Sequence, residues 1–315
     1  MKPRVVWAAQ SPTLLSIFAR SSVWNMSVAD FGDSEDLAEM SQLEAPLWDG
    51  IESNVELVFV CSPLHVVRAR KFLPKARIAL VSHQGFGHKV PYSEDAAVLV
   101  TFSTAVQQFI QSDATRLLHL RDISRYAVLT PHFRVTPNWR WRSNVIWTMK
   151  SRPDTREPLA LAMLNSIQAM SKLSIRVFGQ LQSDGLLDRM GKEKLRSESS
   201  CYLSALHPRA GFGLSEHEAM AAGCPVIGTL WGDLQLSHRL GLTGPWSGFR
   251  EYGDLYNLID LLSIVATTPD RARQISEEQQ EYVSSAFSVR RMDASITELL
   301  DLSLLPASGP VNLSR

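Results

Sequence analysis

At 315 residues the chain is long enough for two domains of ordinary size and too long for one simple open sheet without extensions. Hydrophobic residues make up 45% and charged residues 20%, the composition of a soluble globular protein able to bury real cores. Its 32 basic and 32 acidic side chains cancel, which argues against a polyanion-binding surface over the whole molecule and leaves room for a local basic patch only.

The N-terminal MKPRVVWAAQSP is basic and then apolar, too short for a signal-peptide core, and reads as a first strand over 5–9. SPTLLSIFAR follows, with Leu14, Leu15 and Phe18 at helical spacing. The alternation repeats in VELVFVCS (55–62) before PLHVVRARKFL, RIALVSH (77–83) before QGFGHKVPYSED, and AVLVTFS (97–103) before TAVQQFIQS. Near-continuous apolar strands joined by helices indicate a parallel sheet covered on both faces. RVTPNWRWRS then breaks the pattern with a proline, an asparagine and two Trp-Arg pairs, and places a domain boundary after residue 138. A second alternation starts with NVIWTM (144–149), a helix from about Glu157 to Met170, IRVFG (175–179) and SCYLSAL (200–206). A helix from about Leu255 and an amphipathic one from Val289 lead to LPASGPVNLSR (305–315), a flexible tail by composition. The architecture expected is two tandem α/β domains with a cleft between them, ligands sitting beyond the carboxyl ends of strands.

Cys61, Cys201 and Cys224 are an odd, scattered set beside apolar runs and without metal-ligand spacing, which reads as buried free thiols in a reducing compartment. No apolar run approaches the ~18 residues of a membrane span. A cytoplasmic protein is expected.

Between SCYLSAL and the helix from about Leu255 lies AGFGLSEHEAMAAGCPVIGT (210–229), a glycine turn, a small-residue helix and a strand in succession. Gly211 and Gly213 flank Phe212, so the backbone there can take positive φ and approach a ligand closely. Ser215 with Glu218 three residues on reads as a capping box, and Gly223 as the residue that ends the helix. Free N–H groups at the helix start suit a phosphate.

The string GFGL-x-x-x-EAMAAG-x-PVI closely resembles the signature of GT-B glycosyltransferases of the family 4 type, retaining enzymes that use nucleotide-sugar donors. RVTPN (134–138), NVIWTMKSRPDTRE and AFSVRRM (286–292) fit the same register, and the resemblance spans roughly residues 95 to 300. It implies a GT-B α/β fold of two Rossmann-like parallel-sheet domains facing a central cleft: an acceptor domain over 1–138, a nucleotide-sugar domain over 139–288 and a helix over 289–304 crossing back to the first.

The resemblance also implies residue roles. Glu218 matches the second glutamate of the family's Glu-x7-Glu motif, which accepts both ribose hydroxyls of the donor; the first falls at Ala210, where the carboxylate beside the donor sugar is missing. Amides of Phe212, Gly213 and Leu214 would hold sugar hydroxyls or the β-phosphate. Lys150, Arg152 and Arg156 stand where the family sets cations against the diphosphate, and the spacing does not say which two serve; Lys150 and Arg156 are taken for the charge that builds on the leaving group. His83, after RIALVS, stands where many relatives face a histidine to the donor sugar, with His88 five residues on as an alternative. Gly232 and Asp233 stand near a Gly-Gly-x-x-Glu turn of the nucleotide pocket. No metal and no cofactor is implied; the donor is a UDP- or GDP-sugar.

The reading is a retaining glycosyltransferase moving a sugar from a nucleoside-diphosphate sugar to an acceptor hydroxyl of a small molecule, a glycan or a modified nucleic acid. Two alternatives stay open. WRWR (139–142) interleaves aromatics and cations as single-strand binders do, and allows an enzyme acting on a hydroxylated base, although the Trp residues would equally serve as linker packing. Ala210 allows a catalytically silent nucleotide-sugar-binding protein.

Overall fold

The computed structural model describes residues 2–8, 14, 17–28, 54–61, 63–81, 97–105, 107–108, 126–149, 158–171, 173–179, 184–185, 187–204 and 212–304. The chain divides into two compact units, one of Met1–Gln84, His88–His132 and Val289–Arg315, the other of Gly85–Gly87 and Phe133–Ser288.

In the first unit, β1 (Arg4–Trp7), β2 (Asn25–Val28), β3 (Leu57–Val60), β4 (Arg77–Val81), β5 (Val98–Thr101) and β6 (Tyr126–Val128) form a parallel sheet in the order β2-β1-β3-β4-β5-β6. Every residue of β3 and β5 is buried, which is why these strands read as near-continuous apolar runs. α1 (Pro63–Phe72) joins β3 to β4. One face is filled by aromatics: Trp7 stacks on Phe18 at 5.9 Å and lies 5.1 Å from Phe59, while Trp24 meets Phe59 edge-on at 5.5 Å and donates its indole N–H to the Phe18 carbonyl.

In the second unit the parallel strands β7 (Ile146–Met149), β8 (Ile175–Phe178), β9 (Cys201–Ser204), β10 (Val226–Thr229) and β11 (Phe249–Arg250) take the order β11-β10-β9-β7-β8. Their helices are α2 (Pro158–Ser171), α3 (Arg189–Ser197), α4 (Leu214–Ala221), α5 (Gly232–Arg239), α6 (Leu255–Thr267) and α7 (Pro269–Ala286). The core on one face joins Ile146, Ile175, Cys201 and Ile227 of the strands to Leu164 and Ile167 of α2 and Leu258, Leu262 and Val265 of α6. The last helix, α8 (Val289–Leu304), belongs to the first unit, where it packs on β6. Met292, Ile296, Leu299 and Leu300 make its buried stripe, and the Ser295 hydroxyl accepts from the Thr130 N–H at 3.0 Å.

Several elements escape periodicity. β2 is a sheet edge with three of its four residues exposed, so it carries no apolar run. α7 places Ala272, Ile275, Ser276, Gln279 and Val283 inward, a helical spacing disguised by two polar residues. Both have partners. The Ser276 hydroxyl donates to the Gly223 carbonyl at 2.6 Å, and the fully buried Gln279 amide acts as a surrogate strand, accepting from the Val226 N–H and donating to the Val226 carbonyl at 2.7 Å each. The thiols of Cys201 and Cys224 are buried and free, whereas Cys61 is half-buried rather than buried, with its sulfur 3.6 Å from Nδ1 of His65. Among the described residues no helix is long and apolar enough to cross a membrane.

Gln279→Leu keeps volume and helix propensity but strands both polar groups of Val226 in the interior. The expected cost is about 2–4 kcal/mol of stability, since each buried unsatisfied group costs ~1–3 kcal/mol, measured as a lower urea midpoint.

Candidate functional site

The strand order of the second unit fixes where a ligand can sit. From β7 the chain passes to β8 on one side, and later returns through β9 on the other, so β7 and β9 are neighbours whose connections leave in opposite directions. Their register pairs Ile146 with Cys201 and Trp147 with Tyr202, which brings their carboxyl ends side by side. Such a reversal opens a crevice beyond the strand ends, the usual ligand position in open α/β sheets. The segment after β7 begins with Lys150, that after β9 ends in the turn into α4, and that after β10 leads to Gly232 and Asp233 at the start of α5.

The turn into α4 is built on Gly213. Its φ of 71° and ψ of 58° lie in the left-handed region, which favours glycine, and it occupies the cap position with no side-chain cap. The helix therefore starts at Leu214, and Ser215 falls inside the first turn. This corrects the expected capping box: the left-handed glycine begins the helix too early for Ser215 to cap it, and Glu218 is engaged elsewhere. The other end follows the sequence reading. Gly223, at φ 85°, donates to the Met220 carbonyl and Cys224 to the Ala219 carbonyl, both at 3.0 Å, a Schellman stop.

His217 locks the turn. The Gly213 carbonyl accepts both the His217 backbone N–H at 3.2 Å and its ring Nδ1 at 2.8 Å; facing a carbonyl, that nitrogen carries the proton. A trans peptide is planar, so with the Gly213 carbonyl held along the helix the Leu214 N–H points the opposite way, out of the helix start. Among the described residues the N–H groups of Phe212, Gly213 and Leu214 have no acceptor. The imidazole lies flat on Phe212, 4.4 Å away at 5°, with Phe133 stacked at 5.7 Å and Phe287 edge-on at 4.7 Å. The Phe212 ring is thus a packing element that stiffens the turn, and its backbone is the part left for a ligand. Burial pushes the His217 pKa down to about 4, partly offset by the Gly213 and Phe212 carbonyls, so the ring is neutral near pH 7.

Two acids of α4 go separate ways, as their 200° separation on a helix requires. Glu216 is buried against the sheet, its Oε1 accepting from Tyr202 Oη and Ser204 Oγ at 3.3 Å each, which ties α4 to β9. Glu218 stays 27% exposed and pairs through Oε2 with Nη2 of Arg196 on α3. Sequence reasoning passed over Arg196: it lies 22 residues before Glu218 and outside the glycine-turn string, and only the folded chain brings the two side chains together.

Phe212, Gly213, Leu214 and Glu218 therefore lie on one short stretch of described structure. His83, His88, Lys150, Arg152, Arg156, Ala210 and Gly211 lie outside the described residues, as does the 305–315 tail. The WRWR segment is committed to packing. Trp139 Nε1 donates to the Ser199 carbonyl at 2.9 Å and Trp141 Nε1 to the Val265 carbonyl at 3.1 Å, both rings lying against the core of the second unit, while Arg140 and Arg142 are exposed. Among the described residues no three His, Cys, Asp or Glu side chains are grouped to hold a metal ion.

No family model matches the sequence, and no curated protein matches it. Solved structures do. S. aureus TarM in complex with Fondaparinux, alpha-GlcNAc-glycerol and UDP is 12% identical with a TM-score of 0.59, the match covering 81% of this chain and 56% of that one. This chain thus spans just over half the length of TarM. Anabaena HepE in complex with UDP-glucose is 14% identical with a TM-score of 0.64 and coverage of 95% and 99%. A glycosyltransferase from Rickettsia africae is 16% identical with a TM-score of 0.61 and coverage of 96% and 99%. The likeness establishes the fold alone: two α/β units, each on a parallel sheet, in the GT-B fold.

The buried imidazole gives a pH signature. An unfolded histidine titrates near 6.5 and the folded one near 4, so the unfolded state binds the proton first on acidification. This contribution to stability is complete above about pH 6.5 and is lost at about 1.4 kcal/mol per pH unit as pH falls toward 4. His217→Phe, which keeps the stack, is expected to flatten that slope in urea unfolding curves taken at pH 7 and pH 5.

Proposed function

We propose that this chain is a nucleotide-sugar-dependent glycosyltransferase whose donor nucleotide docks at the carboxyl ends of β7, β9 and β10. The observation that carries the reading is the α4 entry: a left-handed Gly213, a carbonyl locked by His217, and three adjacent amides without acceptors among the described residues. Such a turn supplies fixed N–H dipoles to a diphosphate or sugar hydroxyl without reorganising when the ligand arrives. One turn further along α4, the half-buried Glu218 offers a carboxylate to ribose hydroxyls, an acceptor-only group able to take two O–H donors. Lys150, which directly follows β7, with Arg152 and Arg156 in the same segment, is assigned to the diphosphate. Fixed cations there would stabilise the charge that develops on the leaving nucleoside diphosphate. His83, two residues beyond β4, is assigned to the donor sugar. Transfer with retention at the anomeric carbon, without a metal, completes the proposal.

The shared fold with HepE, solved with UDP-glucose, and with TarM, solved with UDP, makes uridine donors the first to test. UDP-, GDP- and ADP-sugars incubated with the protein should reveal hydrolysis of one donor class. Ordinary nucleotide affinity without hydrolysis of any donor would favour the silent binding protein that Ala210 suggests. Glu218→Gln should weaken nucleotide binding by about 1.5–3 kcal/mol, the worth of hydrogen bonds to a charged group, and unchanged affinity in a titration would remove Glu218 from the site. Gly213→Ala forces a side chain into the left-handed region at a cost of about 1–2 kcal/mol, and a weaker donor affinity in the folded variant is the expected readout.

A further inference from the structure

The Arg196–Glu218 pair is set up more carefully than a surface salt bridge. Arg196 lies in the last turn of α3, and only 16% of its side chain is exposed. Its Nη2 donates to Glu218 Oε2, while its Nε is buried without a partner, so the carboxylate is the guanidinium's one acceptor among the described residues. Glu218 Oε1 receives no hydrogen bond among the described residues. A carboxylate offers about four lone-pair sites on its two oxygens, so an acid held this way keeps one whole oxygen for further donors. Glutamate has three rotatable side-chain bonds, and an unheld one would have to be ordered each time a ligand bound. A bare carboxylate one helical turn from a diphosphate site would also repel the anion it is meant to help bind.

Resting on the ribose reading of Glu218 given above, we propose that Arg196 is the positioning residue of the nucleotide site. It fixes Oε2, leaves Oε1 to accept the ribose hydroxyls, and cancels the charge of the acid beside the diphosphate. Arginine suits the place because its planar fork holds a carboxylate in one orientation, which a lysine's single ammonium does not. The position is also chosen by the fold: α3 precedes β9 and α4 follows it in the chain, and their side chains meet in the Arg196–Glu218 pair.

The test is the affinity ratio between a ribonucleotide and its 2′-deoxy form, a quantity that a merely structural salt bridge would leave alone. UDP, GDP and ADP and their 2′-deoxy counterparts are titrated calorimetrically into the full chain and its variants, each checked for folding by circular dichroism. The unmodified chain should prefer the ribose form by about tenfold or more, as for a hydrogen bond to a charged group. Glu218→Gln and Arg196→Gln should each remove most of that preference, and the double variant should lose no more than either alone, the mark of one coupled unit. Arg196→Lys should keep the fold and part of the ratio. A ratio untouched in Arg196→Gln but collapsed in Glu218→Gln overturns the proposal and leaves the ribose role of Glu218 standing. Indifference of the unmodified chain to the 2′-hydroxyl, or an intact ratio in Glu218→Gln, removes the ribose reading and this proposal with it. Tighter UDP binding by Arg196→Gln would make the guanidinium a competitor for the acid, and also overturns it. Where Arg196→Gln does not fold, Arg196→Lys decides, an unaltered ratio counting against.

Discussion

The Gly213 carbonyl, held twice by one residue, is the constraint on which the candidate site depends. A helix start has several N–H groups without intrahelical partners, but their direction is useful only if the first peptide cannot swing. Here the backbone N–H and the ring of His217 both bond that carbonyl, and the ring is itself clamped against Phe212. Turn, helix start and aromatic stack are one mechanical unit. Burial is what makes it work: a charged imidazole inside this cluster would be costly, so the ring stays neutral and its single proton is committed to the turn.

Around that unit the polar groups are divided by depth. Glu216, fully inside, spends its oxygen on Tyr202 and Ser204 and serves the packing of α4 on β9. Glu218, two residues on and on the opposite side, meets solvent on one flank and Arg196 on the other. A buried charge is tolerable only with partners, so Glu216 is tied to β9, while Glu218 keeps Oε1 without a donor among the described residues. The same economy appears behind the sheet, where Gln279 stands in for a missing strand beside Val226.

Much of this was legible beforehand, and unevenly. Strands such as Leu57–Val60 and Val98–Thr101 announce themselves because burial on both faces favours near-continuous apolar runs. The glycine turn and the Gly223 stop were readable because left-handed backbone leaves few residue choices. Ser-x-x-Glu suggests a capping box in the sequence and carries no sign that a glycine two positions earlier already caps the helix. The Trp-Arg segment reads equally as packing or base stacking in the sequence, and the structure settles it by bonding each indole N–H to a carbonyl of the second unit. α7 stayed hidden because serine and glutamine occupy its inward positions, where they bond backbone groups that no local pattern reveals.

By itself the sequence determined the α/β alternation and the place of the glycine turn, because those follow from short-range rules of burial period and backbone strain. Only the tertiary structure decided that β7 lies beside β9, that His217 folds back onto Gly213 beneath an aromatic stack, and that Arg196 meets Glu218. Strand order and helix packing are set by the sum of many weak contacts between residues far apart in the chain. The partner of a charged side chain is among the last things such a sum fixes.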